Sequence, residues 1–151
     1  MPFDVDIQYA VEDQALPNAA DFQRWVEAAL SGQREQAEVC IRIVSAEESR
    51  ELNHTWRGQD KPTNVLSFPF EAPPGIDTHL IGDLAICAEV VASEAEEQQK
   101  PLNAHWAHMV IHGVLHLIGF DHINDVDAEA MEALEVTLLA QLDIPNPYLS
   151  A

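Results

Sequence analysis

The sequence predicts an α+β fold: one domain over residues 1–151, with a small mixed four-stranded sheet packed against helices, one of which carries a metal site. The chain is 151 residues long, the size of one hydrophobic core. Its hydrophobic periods run in the order βαβαββααα, with strands gathered toward the first half and helices toward the second. A late helical segment also bears histidines at a spacing suited to holding a metal ion.

Phe3, Val5, Ile7 and Tyr9 alternate with polar residues, which is the period of a half-buried strand over 3–9. After Pro17 and Asn18, the residues Phe22, Trp25, Val26, Ala29 and Leu30 recur at helical spacing, and Gly32 is placed to end that helix. Glu38 to Val44 is rich in branched residues and predicts a second strand, and Ser45 and Glu48 then stand at the spacing of a capping box. The short helix that follows carries Leu52 and Trp56. RGQDKP, from Arg57 to Pro62, reads as a loop, and NVLSFPF, from Asn64 to Phe70, as a third strand that, given Pro69, lies at an edge or ends there. Pro73, Pro74 and Gly75 mark an excursion before LIGDLAIC, a fourth strand over 80–87 that can pair antiparallel with the third. Glu89 to Gln99 is helical and acidic, Pro101 opens a longer helix to about Ile118, and a last helix covers 126–142. Met131, Leu134, Val136 and Leu139 are its expected packing positions.

Against 26 acidic residues stand 7 Lys and Arg, a formal net charge of -19. That sign excludes unspecific whole-face binding of nucleic acid, which draws its affinity from phosphate neutralisation, while leaving room for a small local basic site. No apolar run approaches the roughly 20 residues that span a bilayer, and MPFDVDIQYA lacks the basic and apolar regions of a secretory leader. The expectation is a cytoplasmic protein with no membrane partner. Cys40 and Cys87 sit in strand-like runs without CxxC spacing, which predicts reduced, buried thiols.

The chemistry is concentrated in HGVLHLIGFDH, residues 112–122. His112 and His116 are one helical turn apart and project from one face, Gly119 can take positive φ and turn the chain, and the turn brings back His122. Three imidazoles leave the fourth position of a zinc ion open, as catalytic sites do, although they also suit nickel, copper or iron. His105 lies about 10 Å along the axis from His112, too far to share the ion. His108, one turn before His112, is placed to stand behind a ligand, to face substrate, or to be hydrogen-bonded in a structural role. His54 and His79 have no spacing argument. Asp121 can orient His122, act as a base toward metal-bound water or cap the turn, with orientation or capping favoured, and no general base is assigned.

The outline HxxxHxxGxxH also occurs in metzincin proteases, but those need a glutamate directly after the first histidine, where this chain has Gly113. A closer resemblance is to the YbeY family of bacterial ribosomal RNA maturation endoribonucleases. HGVLHLIGFDH resembles that family's HGxLHLxGxDH signature, Leu52-Asn53 with Trp56-Arg57 resembles its LNxxxR element, TNVLSF (63–68) its TDVLSF block, and Gly82-Asp83-Leu84 its GD-I/L strand. The blocks fall in the same order over roughly residues 38–142.

The resemblance implies a single-strand-acting, metal-dependent endoribonuclease that matures ribosomal RNA, including the small-subunit 3' end, and serves ribosome quality control. It implies one zinc ion per chain on His112, His116 and His122, and Arg57 facing the active-site channel. A guanidinium there can grip a phosphate and stabilise charge developing on it. Its implied partners are ribosomal RNA and the small ribosomal subunit, with a ribosome-associated GTPase or a ribosomal protein. Lys61 is a weaker phosphate-binding candidate. Asn64 stands where the family more often has aspartate, and Ser67 and Asp83 match family positions whose plainer role is strand-end hydrogen bonding. The alternative readings are a ribosome-assembly factor with a structural metal and, behind it, a metzincin-like protease.

Overall fold

The structure, a computed structural model, describes residues 2–12, 15–70, 72–75, 78–120 and 124–148. The elements follow the expected order: β1 (Phe3–Tyr9), α1 (Ala19–Leu30), β2 (Ala37–Val44), α2 (Ala46–Arg57), β3 (Val65–Pro69), β4 (Leu80–Cys87), α3 (Ala88–Glu97), α4 (Leu102–Leu117) and α5 (Asp125–Gln141). Local chemistry sets the helix ends. Asn18 and Asp21 form a reciprocal capping box on α1. Ser45 accepts from the Glu48 amide at the start of α2. The Glu48 carboxylate does not complete a box, because it pairs with Arg42 at 2.6 Å instead.

The four strands form one mixed sheet in the order β1-β2-β4-β3. β1, β2 and β4 are parallel, and β3 runs antiparallel to β4 as an edge strand. Pro69, which cannot donate to a ladder, stands at the end of that edge strand. At Gly82 the backbone takes φ 149, and a side chain there would collide with the Phe68 carbonyl and with Leu117. The glycine thus lets β3 and α4 close on β4.

The period-two pattern divides the sheet into two faces. Val39, Ile41 and Ile43 of β2 and Leu84 and Ile86 of β4 face the main core, with buried residues from α1, α3, α4 and α5. Phe22 sits edge-on to Trp25 at 5.6 Å and to Trp106 at 5.8 Å, which locks α1 to α4. Such pairs add roughly 0.5–1.5 kcal/mol each beyond the area they bury. On the other face, Val44, Leu66, Ala85 and Cys87 form a smaller cluster with Leu52 of α2 and Phe68. This layer covers the β4–β3 side and leaves Asp4, Asp6, Glu38 and Arg42 exposed beyond it.

Both cysteines are free, and Cys87 is buried as expected. Cys40 is only half-buried, because it lies on the uncovered face of β2, with its Sγ 3.9 Å from Asp6. Among the described residues, no helix is long and apolar enough to cross a membrane.

Candidate functional site

A groove of about 1130 Å³ runs along the edge strand. Its walls come from α2 (Leu52, Trp56, Arg57), from Thr63 and Asn64, from all of β3 and Asp83 of β4, and from His112, His116, Gly119 and Phe120. The site is built where the sheet ends.

Helix α4 is apolar on nearly every side and is correspondingly buried, as a helix through the centre of a core must be. Between His105 and Leu117, only His112 and His116 reach partial exposure, and both open on the groove. Their rings stand 4.7 Å apart, centroid to centroid, at 82°. The helix ends as expected: Gly119 takes φ 106 and donates to the His116 carbonyl at 3.1 Å. Asp121 and His122 lie outside the described residues.

Gly113 sets how close α4 comes to the sheet. A Cβ at this position would stand 2.8 Å from Leu84 Cδ2 and 3.2 Å from Val65 Cγ2. A side chain here would have to displace Leu84, and the position of a metzincin glutamate base is taken up by this close packing. Ser67 Oγ donates to the Gly113 carbonyl at 3.2 Å, a second tie between edge strand and helix.

Behind the histidines lies Glu135 of α5, fully buried. One carboxylate oxygen meets His108 Nε2 at 2.6 Å, the Tyr148 hydroxyl at 2.8 Å and His112 Nδ1 at 3.3 Å. Burial alone would raise this carboxyl, but the hydrogen bonds from His108 and His112 hold it down at about 2. Burial raises the Tyr148 hydroxyl, and the neighbouring Glu135 carboxylate raises it further. His108 does not face substrate: it is buried, bound to Glu135 and absent from the groove wall, which leaves the structural role and the place behind a ligand. Its Nδ1 has no partner among the described residues, so Nε2 is the nitrogen that carries a proton toward the carboxylate.

Glu135 was not legible as a site residue. The helical period put Val136 inward, but Val136 is half-buried, while Glu135 and Leu138 take the inward positions beside Met131 and Leu139. A buried acid among apolar neighbours at i−4 and i+4 was the available signal. His105 is likewise engaged, with Nε2 2.9 Å from Glu94. Glu94 in turn accepts from the Asn64 amide at 3.1 Å.

Arg57, the last residue of α2, is exposed at the groove. Arg42 and Arg50 are committed to Glu48 and Asp60, whereas Arg57 has no ion-pair partner among the described residues. Its loop is pinned beneath it. Ser49 Oγ exchanges hydrogen bonds with Thr63 O and N, Asn53 Nδ2 holds the Lys61 carbonyl at 2.8 Å, and Gly58 takes φ 71 to leave the helix. The Lys61 side chain is exposed and does not line the groove.

The donors suit a borderline cation such as zinc, since neutral imidazole nitrogens are its common ligands. With Nδ1 of His112 on Glu135, Nε2 is directed away from the carboxylate, the arrangement by which carboxylates orient ligand histidines. His108, His112 and Glu135 also form a group whose ligand atoms all lie within 4.8 Å of one another, and it could itself hold a metal.

The sequence profile of the endoribonuclease YbeY family matches residues 6–143. The chain belongs to the YbeY family. The match extends the motif blocks back into β1 and forward through α5, so Glu135 lies within it. The solution structure of a Thermotoga maritima protein shares the fold with this YbeY-family chain, with a TM-score of 0.65 and 26% identity over 93% of this chain and 88% of that one.

Proposed function

We propose that this chain is a metal-dependent endoribonuclease that cuts single-stranded ribosomal RNA in the cytoplasm, acting in small-subunit 3' end maturation and ribosome quality control. Family membership supports the nuclease class. The observation that carries the reading is that Arg57 lines one groove with His112 and His116.

The metal of this proposal is one zinc ion per chain, on His112, His116 and His122. When bound, zinc supplies Lewis acidity toward a phosphoryl oxygen and makes water more acidic near neutral pH. Arg57 binds the scissile phosphate through paired N–H donors and offsets the charge that builds on its oxygens. Glu135 keeps the His112 proton on Nδ1 and holds the ring against rotation. Ser67 is tied to α4 and positions the strand. Either water or the RNA 2'-OH can attack, and the two routes leave different ends.

A net charge of -19 disfavours tight binding of naked RNA, so the proposal places the chain on its substrate through the small ribosomal subunit, by a ribosomal protein or a ribosome-associated GTPase. The second reading is an assembly factor with a structural metal. It is favoured by the His108–His112–Glu135 group, in which His108 and Glu135 are buried behind the groove and could hold an ion together with His112.

The test is cleavage of an end-labelled single-stranded ribosomal RNA fragment by zinc-loaded protein, beside metal-stripped and His116→Ala samples, with the product ends analysed. Cuts that vanish in both controls support the nuclease, and a 2',3'-cyclic phosphate identifies the 2'-OH route. Equal or absent cleavage in all three samples, with zinc retained in His116→Ala, favours the assembly factor.

A further inference from the structure

The chain has three tryptophans, and two of them are core residues: Trp25 is 2% exposed and Trp106 1%. Trp56 is 67% exposed. An indole in water forgoes the stabilisation that burial would give it, and nothing in the packing of α2 requires one there. Its position is nonetheless fixed. Phe68 of the edge strand meets Trp56 in an edge-to-face contact, with centroids 6.0 Å apart and planes at 71°. That contact orients the ring and leaves indole surface open to solvent. Trp56 also directly precedes Arg57, and both line the groove that contains His112 and His116.

We propose that Trp56 is a base-stacking subsite, on which an unpaired nucleobase of a single-stranded RNA rests while Arg57 holds a phosphate of the same strand. The inference rests on the endoribonuclease reading and deepens it by naming what selects a single strand. Every base offers a π-face, so stacking on an aromatic side chain tolerates sequence. In a duplex those faces are covered by neighbouring base pairs, and the subsite has nothing to receive until the strand is opened. Stacking also depends little on salt, which matters for a chain whose overall charge repels phosphate. Arg57 supplies the local positive charge, and Trp56 supplies apolar surface beside it.

Trp56 reports on itself, because the other two indoles are buried and a collisional quencher such as acrylamide reaches mainly this one. The experiment uses the full chain with a short 2'-O-methyl single strand that resists cleavage, and the same sequence annealed to its complement. Quenching of tryptophan emission is read beside anisotropy of a labelled strand. The single strand is expected to shield Trp56 from acrylamide, and the duplex is not. Trp56→Ala should weaken single-strand binding about tenfold or more, Trp56→Phe should restore much of the loss, and the salt slope should fall for Arg57→Ala but not for Trp56→Ala.

If the strand binds Trp56→Ala as tightly as the parent, or Trp56 remains open to acrylamide in the complex, the subsite is overturned and the nuclease reading stands. If no RNA is bound or cleaved by any form, both fall together. Shielding of Trp56 by a small-subunit protein and by no RNA overturns the subsite in favour of a protein contact.

Discussion

Replacing Gly113 with alanine tests the close approach of α4 to the sheet. The added Cβ would lie 2.8 and 3.1 Å from the two Cδ atoms of Leu84 and 3.2 Å from Val65 Cγ2, where carbon pairs settle at about 3.5–4.0 Å. Leu84 is 1% exposed, so its methyl groups have packed neighbours and little room to retreat. Overpacking of this kind costs roughly 1–3 kcal/mol. Alanine also returns about 1 kcal/mol, because glycine is the poorer helix former. The expected result is a net loss of up to about 2 kcal/mol, seen as a lower urea midpoint with an unchanged slope. A double-mutant cycle separates the two effects. In a Leu84→Ala background the main collision is gone, and Gly113→Ala should become stabilising by about 1 kcal/mol. Val65, half-buried on the edge strand, can yield the remaining few tenths of an ångström. A stabilising Gly113→Ala in both backgrounds, with no coupling, would refute the steric account.

Arg57→Ala should lower RNA cleavage by roughly 10²–10³-fold, as loss of a transition-state charge donor does, with the urea midpoint unmoved because Arg57 is exposed and has no ion-pair partner among the described residues. Arg57→Lys keeps the charge but not the paired geometry and should recover only part. Glu135→Gln should weaken zinc binding toward the lower end of the 10–100-fold range, since His112 lies 3.3 Å from the carboxylate, while the shorter 2.6 Å contact to His108 puts more of the effect into stability; competition with a chelator and thermal melting measure the two. His105 is held below its ordinary value of 6.5, because burial disfavours the imidazolium more than Glu94 favours it. The folded state therefore prefers neutral His105, so its contribution is complete above pH 6.5 and is lost as the pH falls below that value. His105→Gln should flatten the decline in the urea midpoint between pH 7.5 and 5.5, and an unchanged decline would count against it.

Most of the fold was legible because its elements differ in period. β1 alternates cleanly, α1 has a wide apolar stripe, and Pro101 and Gly119 bracket the helix that carries the histidines. Pro69 even indicated that its strand lies at an edge or ends there. Other features depend on contacts that no local pattern carries. Nothing near β3 says that β4 pairs with β2 on its other side, since that register is set across the sheet. Cys40 alternates as a strand residue should, but the extent of the opposite layer decides its burial, and α2 stops short of it. Glu135 looks like one more acid in an acidic helix until His108, His112 and Tyr148 are brought to it from elsewhere in the chain. The exposure of Trp56 is similarly invisible, because a helix pattern containing Leu52 and Trp56 invites both to be counted as packing residues.

The groove and its support draw on widely separated stretches: Arg57 from α2, Ser67 from the edge strand and the histidines from α4 line it, and Glu135 with Tyr148, from the far end of the described chain, stands behind them. None of these neighbours exists before the tertiary structure does. A partly synthesised or partly unfolded chain would carry the histidines without the arginine that faces them or the carboxylate that orients them. Catalytic competence and global folding should therefore be lost at one denaturant midpoint, and a nascent chain would be harmless to the RNA around it until Glu135 and Tyr148 had been made and folded.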